Sequence, residues 1–418
     1  MTDPVSSCNT SPAHTRKMTL IWLIPALGIT QIIGWGSLHY SLAVLAAPIR
    51  ADLGFSEFVI FGAFSVGLLI SGTTAPYAGR WIDRHGGRRI MATGSIVAAT
   101  ALLIVASAQS TPSYLLGWML AGAAMAMCLY DSAFATLHQI APQHFRRAVS
   151  SLTLFGGFAS TVFWPLANSL AANWGWRETL VLFAGLHLLV CLPIYLGLLP
   201  AATGVLASPG VASGSVSKLT ADKRYLWLAG GFALATFVFG ALSAFVITAL
   251  VSRGFSMDEA VWIAALIGPM QVTGRIIEWA LAPRIPASRA GIAALSLMVL
   301  AVLLLSAMQD SILVGCLFAA AYGFANGVLT IVRGTVPAEL FGAERQGALL
   351  GGLARPALLS MAVAPALVGG LLRAGLPMST ALVLLAAIAA AALGCFMRAV
   401  QRKPCGGTRY RIPPPPAV

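Results

Sequence analysis

The most restrictive feature of this sequence is a series of apolar runs, separated by short polar segments. A helix needs roughly 20 apolar residues to cross the hydrocarbon core of a bilayer, and the runs have about that length. Only 9% of the 418 residues are charged, whereas soluble globular proteins have about 25%. The runs are uniformly apolar rather than alternating, which favours helices over a β-barrel. The sequence therefore excludes a soluble enzyme, a disordered chain and a secreted disulfide scaffold, and it predicts an all-α membrane protein.

Twelve of these runs are predicted to be transmembrane helices. Their approximate bounds are 20–47, 57–79, 90–109, 114–140, 148–172, 179–199, 225–251, 259–282, 290–308, 312–335, 347–372 and 379–397. The longest polar interruption contains several serines and glycines and predicts a flexible linker between two six-helix halves. The expected parts are a tail at 1–19, a six-helix half at 20–199, the linker at 200–224, a second half at 225–397 and a tail at 398–418.

The positive charges indicate how the chain lies in the membrane. If twelve spans alternate in direction, most of the 26 lysines and arginines fall on segments that share one side with both termini. Loops with an excess of lysine and arginine stay on the cytoplasmic side. We therefore expect a multi-pass protein of the inner membrane with both termini in the cytoplasm. This placement also explains the net charge of +13 without a nucleic-acid partner.

The two predicted halves share short motifs in the same order. One pair of motifs is Gly54-Phe55-Ser56 and Gly254-Phe255-Ser256. Another set consists of Pro142, Gly156 and Gly157, which are matched by Pro337, Gly351 and Gly352. Duplicated pseudo-symmetric halves are typical of carriers that bind their substrate near the midplane of the membrane, between the repeats. Chance similarity among helices rich in glycine and alanine is the alternative.

The loop between the second and third spans reads GRWIDRHGGRR over residues 79–89. It resembles the signature G-x-x-x-D-R-x-G-x-R-R of the major facilitator superfamily at every specified position. The matching residues are Gly79, Asp83, Arg84, Gly86, Arg88 and Arg89. The resemblance implies the major facilitator fold, and it implies that this motif governs conformational switching rather than substrate choice. Locally, Gly79 would let two helices approach closely and Gly86 would turn the chain.

Within that superfamily the chain looks most like the branch of monocarboxylate and oxalate/formate carriers. The supporting pieces are Gly34-Trp35-Gly36 in span 1, Phe145-Arg146-Arg147 at the start of span 5, and an arginine in each of spans 8 and 11. Two departures argue against the proton coupling of mammalian monocarboxylate carriers. Tyr40 stands where those carriers have a lysine, and Gln271 stands where they have an acidic residue. The arginine typical of span 4 in drug antiporters is absent from residues 116–122.

Charged residues inside the predicted spans are few, and such residues usually face a bundle interior or a watery cavity. Arg275 in span 8 and Arg355 in span 11 are predicted to lie at similar depth. A guanidinium stays charged and matches the planar geometry of a carboxylate. We therefore expect both arginines to bind a small mono- or dicarboxylate. The alternative is that Glu278, one turn from Arg275, neutralises it as a structural pair.

Asp131 in span 4 is the best candidate for proton coupling, because burial disfavours the charged form of a carboxylate. His138 lies about two turns away on the same face of that helix. Glu278 is a further candidate, with its structural pairing as the alternative. The repeat aligns Asp131 with Asn326 and His138 with Arg333, so these pairs could instead close a gate.

Uncharged polar residues in the spans offer further substrate contacts. Tyr40, Gln271 and Asn326 could hydrogen-bond the substrate, and hydrogen bonding between helices is the alternative role. His39 is expected to be a packing residue. The motif Gly323-x-x-x-Gly327 predicts close helix packing without a ligand.

The sequence favours a secondary active carrier of a small organic anion that works by alternating access. The alternative is an efflux permease for a drug-like or metalloid solute, for which Cys128 is the suggestive thiol. Nucleotide loops, metal-ligand clusters and nucleophile constellations are absent from the sequence, so no enzyme activity, metal or cofactor is expected. The expected partners are a small-molecule substrate, the lipid bilayer and protons, and the carrier is expected to be a monomer.

Overall fold

A computed structural model describes the chain at residues 12–141, 145–200, 222–282, 284–307, 309–341 and 346–401. The predicted linker and both predicted tails fall largely outside these ranges. Some side chains within the ranges also lie outside the described part, among them those of Asp83 and His138. All the regular elements of the described part are helices.

The helices before residue 200 are α1 (Pro12–Trp35), α2 (Leu42–Leu53), α3 (Glu57–His85), α4 (Gly87–Ala106), α5 (Thr111–Cys128), α6 (Tyr130–Ile140), α7 (Phe145–Gly157), α8 (Ala159–Trp174), α9 (Trp176–Leu186) and α10 (Leu192–Leu198). Two π-helical turns, Gly36–Tyr40 and His187–Cys191, follow α1 and α9. The helices after residue 222 are α11 (Lys223–Val251), α12 (Met257–Ala265), α13 (Ile267–Leu281), α14 (Ala287–Ala307), α15 (Ile312–Phe341), α16 (Gln346–Arg373) and α17 (Met378–Gln401).

Ten helical stretches of the described chain are long and apolar enough to cross a membrane. The bent pair Trp22–Tyr40 and Leu42–Leu53 would make an eleventh. The predicted span at 148–172 falls on α7 and α8, which are interrupted at Phe158 and are not among these stretches. The structure therefore supports a multi-pass helical membrane protein, while twelve spans in two six-helix halves stay a prediction.

The ends of the helices follow local sequence signals. Gly54 and Gly254 precede α3 and α12 and have φ of 66° and 100°, a left-handed conformation that glycine adopts without steric cost. Two residues later, Ser56 and Ser256 cap these helices by accepting a backbone N–H of the first turn. The two copies of the Gly-Phe-Ser motif thus have the same local structure.

Several spans are interrupted within their length. Leu129 separates α5 from α6 in an extended conformation, and Phe158 and Leu266 interrupt the helices on either side of them. The π-helical turn Gly36–Tyr40 widens the end of α1. Such interruptions leave some backbone groups without helical hydrogen bonds and change the direction of nearby side chains. They are frequent where membrane helices line a substrate site.

We call residues 12–200 the N-terminal region and residues 222–401 the C-terminal region. These regions contact each other along two main seams, α3 with α16, and α7 and α8 with α12 and α13, and α2 also contacts α11. Small residues let the backbones approach at the second seam. A methyl group on Gly268 would collide with the backbone of Gly157, and Thr161 Oγ1 donates to the Ala265 carbonyl at 2.8 Å.

Contacts between helix ends divide these ends between two faces of the bundle. Ser288 at the start of α14 donates to Glu339 near the end of α15 on one face, and Asn168 of α8 donates to Asp258 at the start of α12 on the other. The face that carries the helix ends near 85–87, 140–145, 198–223, 281–287 and 341–346 is called the linker side. The face that carries the ends near 53–57, 106–111, 174–176, 251–257, 307–312 and 373–378 is called the opposite side.

Close packing of α3 on α5 gives a stability prediction. A side chain on Gly122 would collide with the backbone of Gly67, whereas one on Gly62 of α3 would have no neighbouring atom within 4 Å. We expect Gly122→Ala to lower the free energy of unfolding by about 1–3 kcal/mol, because overpacking forces the helices apart. The matched control Gly62→Ala is expected to be neutral or slightly stabilising. Thermal unfolding in detergent micelles checks this, and equal melting temperatures would contradict the close crossing.

Candidate functional site

The centre of the bundle, where the two regions meet, holds a very small cavity. Its volume of about 10 Å³ is about the minimum needed for one water molecule. The N-terminal region lines it with Tyr40, Ser160 and Trp164. The C-terminal region lines it with Phe239, Leu242, Ser243, Ile267, Gln271 and Tyr322. Two of the residues predicted to contact substrate, Tyr40 and Gln271, therefore face the same point from different regions.

Aromatic rings close this cavity tightly. The Tyr40 and Trp164 rings meet edge to face with centroids 5.5 Å apart, and Trp164 Nε1 donates to the Tyr40 carbonyl at 3.0 Å. Across the region boundary, the His39 ring stacks on Phe239 at 6.1 Å. His39 is 1% exposed, in agreement with the packing role predicted for it. The rings leave little space between the regions at this depth.

Arg275 is a buried cation beside this cavity. Its side chain is on α13 of the C-terminal region and is 7% exposed, and its Nη1 donates to the Thr153 carbonyl on α7. Tyr130 directs its hydroxyl at the same carbonyl at 3.4 Å. The guanidinium Nε has no hydrogen-bond partner. Within the described chain the ion pairs are Arg50–Glu57 and Arg177–Asp52, so no carboxylate balances Arg275 directly.

Other buried polar atoms around Arg275 also lack partners in the described structure. They are Trp35 Nε1, His39 Nε2, Ser160 Oγ, Tyr322 Oη and Asn326 Nδ2. The tryptophan and amide nitrogens can only donate, so only a hydrogen-bond acceptor can satisfy them. Leaving such groups unpaired in the interior costs about 1–3 kcal/mol each. The donor-only nitrogens of Trp35 and Asn326 therefore favour a ligand that carries acceptor atoms.

Asn326 and Tyr322 bring α15 into this cluster. They lie one turn apart on α15, and Tyr322 lines the central cavity together with Tyr40. Asn326 is 8% exposed. The structure thus groups four of the predicted substrate contacts, namely Arg275, Gln271, Tyr40 and Asn326.

Asp131 and Arg333 face each other across the space between the regions on the linker side. Asp131 is in the first turn of α6, and its carboxylate interacts electrostatically with the Arg333 guanidinium on α15. They form no direct ion pair in the described structure. Asp131 is exposed although roughly 14 Å of helix separate it from the end of α6. This exposure indicates that the linker side is open to about that depth.

The opposite side is closed by direct contacts between the regions. Asn168 Nδ2 donates to Asp258 Oδ1 at 2.6 Å, and the Phe61 and Phe245 rings pack with centroids 3.8 Å apart. Deeper in the bundle, the Ala366 N–H donates to Ser65 Oγ at 3.0 Å. The structure therefore has one accessible side and one sealed side.

The remaining predicted site residues lie elsewhere. Arg355 on α16 is exposed. Glu278 lines a pocket between α13 and α14 on the outer wall of the C-terminal region. The side chain of His138 is outside the described part of the chain. Cys128 is 2% exposed and its thiol donates to the Ala124 carbonyl, so it does not face the central cavity.

The loop motif at 79–89 turns the chain between α3 and α4. Gly86 caps α3 with φ of 79°, which agrees with the turn predicted there. Arg84 and Arg89 are exposed and Arg88 is half-buried, and the Asp83 side chain is outside the described part. A side chain on Gly79 would meet no atom within 4 Å, so the close helix approach expected there is not formed in this conformation.

Several residues of the centre were missed from the sequence. Thr153, Trp164 and Tyr322 contribute a carbonyl or a ring to the site, but each resembles an ordinary residue of an apolar helix. Tyr130 carried one usable signal, because it immediately precedes the predicted intramembrane Asp131. The unpaired nitrogen of Trp35 could not be inferred, since pairing depends on neighbours from other helices.

Residues 27–351 match the sequence profile of the Major Facilitator Superfamily. The chain belongs to this superfamily. It is therefore a multi-pass membrane transporter of small molecules and not an enzyme.

Curated relatives of this chain have names that describe more than one kind of cargo. Monocarboxylate transporter 13 of Rattus norvegicus is 26% identical over 337 residues, which cover 75% of this chain and 76% of that protein. Multidrug resistance protein MdtL of Klebsiella pneumoniae (strain 342) is 29% identical over 145 residues, which cover 34% of this chain and 36% of that protein.

Two solved structures share the fold. A mutant of the nucleoside transporter NupG has a TM-score of 0.79 at 14% identity, covering 91% of this chain and 100% of that chain. A bacterial homologue of the human lysosomal transporter Spinster, in an inward-facing and occupied conformation, has a TM-score of 0.69 at 16% identity, covering 94% and 98%. At these identities the likeness concerns the fold alone.

The difference between the two sides can be tested by thiol labelling. In a variant without the six native cysteines, we expect Asp131→Cys to react with a charged, water-soluble thiol reagent, because this position is exposed. Ser65→Cys, the matched control at a buried position of the closed seam, is expected to react at least about tenfold more slowly, since local opening must precede reaction at a buried site. Mass spectrometry of the purified protein measures both rates. Equal rates at the two positions would contradict the one-sided opening.

Proposed function

We propose that this transporter carries a small organic anion, a mono- or dicarboxylate, by alternating access, with Arg275 as its anion-binding group. The supporting observation is a buried guanidinium between the two regions, with an unpartnered Nε and no carboxylate at ion-pair distance in the described chain. Burying an uncompensated charge is costly. A substrate anion that reaches Arg275 from the accessible side would supply the missing counter-charge.

Uncharged groups around the arginine support an anionic cargo as well. Tyr40, Gln271 and Asn326 are proposed to orient the substrate, and the donor-only nitrogens of Trp35 and Asn326 match the acceptor atoms of a carboxylate. Arg355 is exposed on α16 and is proposed as a second guanidinium on the route of the substrate. The similarity to monocarboxylate transporter 13 is consistent with this class of cargo.

Proton coupling through Asp131 is part of the proposal. Its carboxylate is exposed to the linker-side opening and interacts with Arg333 of the other region, so its charge affects how the regions attract each other. His138 and Glu278 are the further proposed proton carriers. The motif residues Gly79, Asp83, Arg84, Gly86, Arg88 and Arg89 are proposed to govern the switch between conformations.

The proposed setting is the inner membrane. We propose twelve spans in two six-helix halves, a monomeric carrier, and both termini in the cytoplasm, as the placement of positive charges predicts. The linker side is then the cytoplasmic side.

Efflux of a drug-like solute is the second candidate function. The rings of Tyr40, Trp164, Phe239 and Tyr322 around the centre favour it, because aromatic walls suit flat apolar solutes. The partial similarity to MdtL points the same way. A metalloid cargo has less support, because the Cys128 thiol is buried away from the central cavity.

Substitution of Arg275 tests the proposed cargo. In proteoliposomes, we expect Arg275→Gln to lower the uptake of labelled monocarboxylates at least about tenfold, because a charge-assisted hydrogen bond is worth about 1.5–3 kcal/mol. Arg275→Lys keeps the charge and should retain part of the transport, and Arg355→Gln should have a smaller effect. Arg398→Gln, an exposed cation at the end of α17, is the matched control and should transport normally.

A panel of substrates separates the two candidate functions. If carboxylates are not taken up by the unaltered protein but a lipophilic cation or neutral drug is, the anion proposal fails and the efflux candidate replaces it. Normal carboxylate uptake by Arg275→Gln would contradict the assigned role of Arg275.

Replacing Asp131 tests the proton coupling. With Asp131→Asn we expect a pH gradient to drive no accumulation of substrate, because the amide cannot take up and release a proton. Exchange of labelled for unlabelled substrate at equal concentration should continue, since it needs no net proton movement. Glu178→Gln, at an acidic residue outside the proposed site, is the control. Gradient-driven uptake equal to that of the control would exclude Asp131 as the coupling residue.

A further inference from the structure

A second pocket lies on the outer wall of the C-terminal region. It has a volume of about 190 Å³ and lies between α13 and α14, both of which pack on α15. Phe324 and Val328 of α15 form its floor. Ile277, Leu281 and Ile285 at its edge are each more than a third exposed. The pocket is separate from the central cavity, since the two share no lining residue.

Because the chain is a membrane protein, this exposed apolar wall faces lipid rather than water. Water does not fill an apolar pocket at membrane depth, and a void would forfeit the packing contacts of its lining. The occupant must therefore be apolar where it meets Leu297, Phe324 and Val328. An acyl chain of the surrounding bilayer meets that requirement.

One cation lines the pocket near the linker side, and a second is next in the chain to the lining residue Ile285. Arg289 in the first turn of α14 lines the pocket, and Arg284 lies in the turn before that helix. Both are exposed, and neither has an ion-pair partner within the described residues. Glu339 at the same helix end accepts from the Ser288 N–H and hydroxyl at 3.1 and 2.6 Å, so its carboxylate is directed at the start of α14. Glu278 also lines the pocket and sets one negative charge against the two arginines. A phosphate attached to the acyl chain would match the two free guanidiniums.

We propose that this pocket binds one anionic phospholipid, with an acyl chain inside and its phosphate on Arg284 and Arg289. The pocket adjoins α13, the helix that holds Arg275 on another face. Glu278 and Ile277 of α13 line the pocket, whereas Arg275 contacts Thr153 of the N-terminal region. A bound lipid would therefore stabilise the position of α13, the helix that carries the buried guanidinium.

Binding is measured without any substrate, so this proposal can fail independently of the proposed function. The purified full-length protein is delipidated and exposed to phosphatidylglycerol or to phosphatidylcholine, and retained lipid is counted by native mass spectrometry. We expect one phosphatidylglycerol to be retained, with at least about tenfold preference over phosphatidylcholine, because each nearby arginine favours an anionic lipid about fivefold. Arg289→Gln should reduce that preference about fivefold, and Arg398→Gln is the control.

A second variant tests the apolar part of the pocket. Ala293 lines the pocket and is exposed, so Ala293→Trp fills the space without displacing the core. Ser296→Trp, at an exposed position of α14 that does not line the pocket, is the matched control. We expect retention to be lost only in Ala293→Trp. Equal retention of the two lipids, or equal retention in the two tryptophan variants, would overturn the proposal.

Discussion

The interaction on which the centre of this transporter depends is the burial of the Arg275 guanidinium between two regions of the chain. A guanidinium cannot lose its charge under physiological conditions, so the surroundings must compensate it. The Thr153 carbonyl supplies one acceptor, which is less than five N–H donors require. Low polarity around the cation makes any further acceptor bind strongly. The unpartnered Nε of Arg275 is therefore the group that, in the proposed function, attracts an anion.

The interruptions of the helices make this arrangement possible. Tyr130 begins α6 directly after the break at Leu129, and its hydroxyl is directed at the Thr153 carbonyl to which Arg275 also donates. An unbroken helix would carry Tyr130 on the same continuous stripe as the residues of α5. The break at Leu129 therefore redirects the Tyr130 side chain toward the surroundings of Arg275. The same positions can bend when the regions move relative to each other.

Helix positions could be predicted from the sequence because bilayer thickness dictates their length. The Gly323-x-x-x-Gly327 motif was equally informative, since both glycines meet backbone atoms of α13. Arg275 was identified because charge inside an apolar span is rare. Its partner Thr153 could not be identified from the sequence, because it contributes a backbone carbonyl and any residue at that position would provide one. The direction in which Glu278 points could not be predicted either. It lies one helical turn from Arg275, but it lines the lipid-facing pocket instead of the centre.

The contacts between the two regions differ in kind on the two sides of the molecule. Aromatic packing, a neutral-to-charged hydrogen bond and close backbones seal the opposite side, and none of these contacts needs a substrate. The linker side has Asp131 and Arg333 facing each other without a direct ion pair. Closing it would bring these charges together and dehydrate them, which is favourable only when the geometry and the remaining charge are well matched. In the proposed function, a substrate anion on Arg275 and a proton on Asp131 change that charge in opposite directions, so the occupancy of the site would decide whether the linker side can close.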